Sequence, residues 1–134
     1  MIDIENEIFT ALATKLRSEF STIYVTGEYV PAPPTFPAVS IIEIENDVFR
    51  RSADSGNLEN HDVITYEVNV YSNKTTGKKS ECKKIINIID TEFLRLGFTR
   101  HMLSPVVNVN DASIYRMIGR WMAIVSQDKK VYRR

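Results

Sequence analysis

Ile64-Thr65-Tyr66-Glu67-Val68-Asn69-Val70, running through Ser72 and Gly77 into an apolar stripe at Cys82, Ile85, Ile86, Ile89, Phe93 and Leu96, is the stretch that decides the fold. Its first half alternates. Ile64, Tyr66, Val68 and Val70 point one way and Thr65, Glu67 and Asn69 the other, the period of a half-buried strand. Its second half changes to helical spacing, with Lys78, Lys79, Lys83 and Lys84 on or near the first turns. Gly97, just after Leu96, stands where a helix exit favours a left-handed residue, so this helix is expected to end there.

Upstream, Ile4, Ile8, Leu12, Leu16 and Phe20 recur every fourth residue, which predicts an amphipathic helix over Ile4–Phe20. Asp3 is its expected N-cap, and Glu5 and Glu7 suit the positive end of the helix dipole. Ile23-Tyr24-Val25 reads as a short strand. Pro31, Pro33, Pro34 and Pro37 then enforce an extended connector, because proline cannot donate to a sheet ladder. Val39–Glu45 reads as a strand whose alternation slips: Val39 and Ile41 share one face, Ile42 and Ile44 the other. Either a bulge shifts the phase or both faces are partly covered. Residues 46–61 form a polar excursion, a loop or a hairpin tip, longer than packing requires and so a functional candidate. Downstream, strands are expected over Phe98–Val107 and Ser113–Val125, followed by a polar, basic tail over 126–134.

The order helix, strand, strand, strand, helix, strand, strand describes an α+β fold. Both apolar stripes are expected to cover one face of a mostly antiparallel or mixed sheet. The other face is left partly bare, with Tyr71, Met117 and Trp121 as its expected apolar residues, a partner site if exposed. At 134 residues and 43% apolar content, one domain over 1–134 with a single core is expected.

Seventeen basic and seventeen acidic side chains cancel, so the global excess that marks a nucleic-acid binder is missing. The cancellation conceals an asymmetry. Residues 1–62 carry eleven acidic and four basic side chains, a balance of −7; residues 63–134 carry six and thirteen, a balance of +7. If the fold segregates the halves, copies are drawn together head to tail; if it interleaves them, the field averages out. A single cysteine, Cys82, excludes an internal disulfide framework and fits a reducing compartment. The polar start is not a signal peptide and no apolar run approaches the roughly 20 residues of a span, so a soluble cytoplasmic domain is expected.

No catalytic signature survives inspection. Cys82, His61 and His101 are too scattered for a zinc site, and nothing local suggests a cysteine–histidine pair. Thr76-Gly77-Lys78-Lys79-Ser80 lacks the residues of a phosphate loop, having Lys at 79 and Ser at 72. Glu43 and Glu45 are spaced to share a strand face, better suited to a solvated face or an intersubunit ion pair than to acid–base work. Arg116 and Arg120, flanking Ile118 near Trp121, are the residues a single-stranded nucleic acid would use. No metal or cofactor is expected.

Phe36-Pro37-Ala38-Val39-Ser40-Ile41, the excursion with Arg50-Arg51, Tyr66–Ser72 leading through Gly77-Lys78 into a helix, Leu96-Gly97-Phe98-Thr99-Arg100 and Ser113-Ile114-Tyr115-Arg116 follow one another over almost the whole chain. That succession resembles the small tail-terminator or tail-to-head joining proteins of long-tailed bacteriophages, sometimes described as minor capsid proteins. The resemblance implies a non-enzymatic virion protein at the head–tail junction. It implies a hexameric ring that caps the tail tube, ends elongation and meets the head connector. The implied partners are other copies of the chain, the tail-tube protein and the head-completion protein, with passive contact to DNA in the lumen and none to a membrane. A head-completion protein of the same neck is one alternative and a non-viral single-stranded nucleic-acid module another. Expected interface positions are Glu43, Glu45, Asp47, Phe49, Arg50, Arg51 and Leu58 around the excursion, and Arg116, Arg120 and Trp121 on the last strand.

Overall fold

A computed structural model describes residues 1–30, 32–49, 61–106 and 112–132. The chain runs α1 (Glu5–Glu19), β1 (Tyr24–Thr26), β2 (Ala38–Val48), β3 (His61–Ser72), α2 (Lys78–Arg95), β4 (Thr99–Val106), β5 (Tyr115–Ser126) and β6 (Val131–Tyr132). The α+β order expected from the sequence is present, closed by one further short strand in the basic tail. The strands form a single sheet in the order β1-β2-β3-β5-β4, with β6 also on β5. Among the described residues only β1 with β2 is parallel, and the other pairs are antiparallel.

The alternating stretch lies at the centre. Ile64, Tyr66, Val68 and Val70 are fully buried, together with Ile8, Leu12, Ala13 and Leu16 of α1 and Cys82, Ile85, Ile86, Ile89 and Phe93 of α2. These side chains form one core cluster, so both stripes cover the same face of the sheet. Each fully buried aliphatic side chain contributes about 1.5–3 kcal/mol of burial. α2 ends as expected: Gly97 has φ +94, and Phe98 N–H donates to Phe93 O at 2.8 Å. A β-carbon on Gly97 would lie 2.9 Å from Val131 Cγ1, so the helix exit is also where β6 packs. At the start of α1 the cap is Ile4, not Asp3. Asp3 stands one residue earlier and its Oδ1 accepts the Glu5 N–H at 3.1 Å, a turn that still satisfies one free amide.

β2 does carry a bulge, but beyond the apolar slip: Ile42 pairs in regular register with Glu67 on the open side, where it is half-buried. The register of β2 with β3 shifts between Glu43 and Glu45, which puts Glu43 on the helix side with Tyr66 and Glu45 on the open side with Thr65. The two carboxylates therefore do not share a face, because the extra residue, Ile44, reverses the phase. β2 continues through Val48, and the Phe49 N–H donates to His61 O at 2.7 Å, so both ends of the polar excursion are paired as a hairpin.

Register also corrects the open face. Tyr71 pairs with Ala38 and Arg116 and lies on that face, but Met117 pairs with Val70 and Trp121 with Tyr66, which turns both toward the helices. Trp121 is fully buried; its indole N–H donates to Asp90 Oδ1 at 2.9 Å and its ring stacks on Phe93 at 4.9 Å between centroids. It cannot meet a partner. What makes room for it is Gly119, where a β-carbon would come within 2.6 Å of the indole.

Candidate interaction surface

The sheet order separates the two charged halves. α1, β1 and β2, from the acidic first half, lie to one side of β3; β5 and β4, from the basic second half, lie to the other, with α2 packed against β3, β5 and β4. Among the described residues the strands of the two halves are therefore segregated, although α1 packs on α2 and Lys129 of the basic tail pairs with Glu7 of α1 at 3.1 Å; each edge of the sheet carries a groove with a charged rim.

At the β1–β2 edge a groove of about 450 Å³ is lined by Asp3, Glu5, Asn6 and Phe9 from the α1 end, and by Thr26, Gly27, Glu28 and Ile41 from the strands. None of these three carboxylates has a salt bridge among the described residues. The charges of Asp3 and Glu5 also act on Glu43, whose Oε1 accepts the Tyr66 hydroxyl at 3.1 Å. Partial burial pushes the Glu43 carboxyl above its usual range, and the charges of Glu5 and Asp3 push it the same way, against the Tyr66 hydrogen bond. Tyr66 is raised in turn, first by burial and then by Glu43, and stays a neutral donor.

At the opposite edge a groove of about 430 Å³ is lined by Lys83, Lys84, Ile86 and Asn87 of α2 and by Arg100, Leu103 and Met117 of the strands. Arg100 is 3.6 Å from Asp90, and Lys84 lies over the Phe20 ring at 5.7 Å. Lys83 has no charge partner among the described residues. The two grooves are level: Ile41, Val68, Gly119 and Leu103 form one row across β2, β3, β5 and β4, with a groove at each end.

On the open face Arg116 and Arg120 do share a side with Ile118, as their spacing requires, but Trp121 is on the other side. Both guanidinium groups are engaged. Arg116 donates to Asn69 Oδ1 from Nε (3.0 Å) and Nη2 (2.7 Å) and lies over the Tyr71 ring; Arg120 pairs with Glu67 at 2.9 Å. Tyr71 is itself raised by burial, partly opposed by Arg116. Glu45 and Asp47 are exposed on this face and Phe49 is half-buried at the hairpin base. Arg50, Arg51 and Leu58 lie outside the described residues.

No protein-family model matches the chain, and no curated protein matches it.

Cys82 is fully buried against the carbonyls of Val70 and Tyr115, and burial, with Glu81 adding to it, pushes its thiol up to about 12. It is a core residue without thiolate character. Among the described residues no group of His, Cys, Asp and Glu could hold a metal ion, and no helix is long and apolar enough to cross a membrane. Sequence reasoning missed the two grooves as sites. Their signal was present only as the −7/+7 split, which gives no position until the strand order is known.

Proposed function

We propose that this chain is a structural subunit of the neck of a long-tailed phage virion, forming a hexameric ring that caps the tail tube and joins it to the head connector. The observation that carries the reading is the placement of opposite charge on opposite edges of one sheet. A ring needs a heterologous contact, in which two different patches of each subunit meet, and such edges supply two complementary ones. The resemblance of the sequence to tail terminators supplies the biological setting. In this role the chain carries out no chemistry and needs no cofactor, and its partners are its own copies, the tail-tube protein and the head-completion protein.

The test is tube assembly. Purified chain added to polymerising tail-tube protein of the same phage should arrest growth and appear at the tube end in electron micrographs. Unaltered tube growth, with heads that leak DNA when the chain is missing, would make it a head-completion protein instead. Tight, steeply salt-dependent binding of single-stranded oligonucleotides would transfer it to nucleic-acid recognition; the engagement of Arg116 and Arg120 by Asn69 and Glu67 argues against that outcome.

A further inference from the structure

We infer that copies of this chain associate head to tail through the two edge grooves, the Glu28-Tyr29 lip of one copy entering the Lys83–Lys84–Arg100 groove of the next. The inference rests on the ring-subunit reading and assigns its contact. Four observations converge on a second copy as the occupant. The rims are opposite in charge, Asp3, Glu5 and Glu28 against Lys83, Lys84 and Arg100. Each floor offers one part-exposed apolar side chain, Phe9 on the first and Leu103 on the second, so contact also removes some hydrocarbon from water. The grooves are of similar size and lie at the two ends of one cross-strand row, which lets a single repeated displacement bring one against the other. Finally Tyr29, beside Glu28, is 63% exposed. A tyrosine held out at a charged rim is the residue type that anchors interfaces, its ring covering apolar floor while its hydroxyl stays wet.

In this contact Glu28 meets Lys83 and Lys84, the Tyr29 ring covers Leu103, and the lysines reach toward Asp3 and Glu5 of the first copy. Direct strand-to-strand joining is a poorer solution, because Pro105 and the register shift between Arg100 and Met102 interrupt the outer edge of β4.

Sedimentation of the full chain over a concentration and salt series tests this, using Glu28→Lys, Lys83→Glu and their equimolar mixture. Both changed positions are exposed, and circular dichroism checks that each variant remains folded. The expected result is wild-type growth beyond a dimer, weakened by salt. Each single variant should self-associate on the order of tenfold more weakly, since reversal sets like charges face to face, and the mixture should recover wild-type association. Carbodiimide coupling of mixed light and heavy isotope chains should join Glu28 of one to Lys83 or Lys84 of another. A monomer throughout, a mass that stops at dimer, or intermolecular links that avoid these residues would overturn the contact. Its failure is separable from that of the proposed function. A chain that arrests tube growth but shows no such links refutes only the contact; one that shows the links but leaves tubes growing refutes only the neck role.

Discussion

Replacing Gly119 by alanine adds one methyl group at the most crowded point of the core. The new β-carbon would stand 2.6 Å and 2.7 Å from two carbons of the Trp121 ring and 3.4 Å from Met102 O. Ordinary carbon–carbon contact is about 3.5–4.0 Å, so the indole would have to retreat by nearly an ångström. It cannot do so freely, being stacked on Phe93 and tied to Asp90 through its N–H. Overpacking of this kind costs about 1–3 kcal/mol, against which the smaller chain entropy of alanine in a strand returns roughly 0.5–1 kcal/mol. Net destabilisation of about 1–2 kcal/mol is expected, read as a lower urea midpoint at unchanged slope. Trp121 is the only tryptophan, so its emission reports the displacement at the same time. A double-mutant cycle isolates the cause. Trp121→Phe removes the clashing atoms, so Gly119→Ala in that background should cost less than about 0.5 kcal/mol. Equal costs of Gly119→Ala with and without the indole would refute the steric argument.

Other consequences are open to direct measurement. Glu43 has a raised folded-state pKa, so the folded chain holds its proton more tightly than the unfolded chain. Its contribution is full below the ordinary value of 4.5 and is lost as pH rises through the raised value. Glu43→Gln, which keeps an acceptor for Tyr66, should gain melting temperature relative to wild type on going from pH 4 to pH 7; a constant difference across that range would remove the burial argument. The Cys82 thiol should react with a disulfide reagent orders of magnitude more slowly in the native protein than in denaturant at the same pH, and comparable rates would mean the α2 stripe opens readily. Reversing Arg50 and Arg51 to Glu should block tail joining while the chain remains folded by circular dichroism; wild-type joining by that variant would remove both from the interface.

Much of the architecture was written in local pattern. The alternation of Ile64 to Val70 and the stripe from Cys82 to Phe93 needed only their period, and Gly97 marked the helix exit through the one conformation it favours. The slip in apolar phase came at Ile42, which sits half-buried on the open face in regular register, whereas the bulge lies two residues on at Ile44. Other features were not local. β5 carries Met117 and Trp121 on one side but Ile118, Met122 and Ile124 on the other, so composition does not say which side is inside. The pairing of Trp121 with Tyr66 across β3 decides it. β6 comprises two residues in a basic tail, and only its seat against Gly97 makes it structure. The grooves required the strand order, since Ile41 and Leu103 are brought level by intervening strands and not by sequence spacing.

The row from Ile41 through Val68 and Gly119 to Leu103 also has a mechanical meaning. A subunit gripped at both ends of this row passes any pull through three hydrogen-bonded ladders in series, each bearing the same force, so the weakest sets the breaking load. The β3–β5 ladder runs without a register shift along strands of 12 residues, whereas β4 is 8 residues long, shifted beside His101, and lacks an amide hydrogen at Pro105. Under tension the sheet should therefore yield first by shedding β4, leaving its central strands and both helices folded.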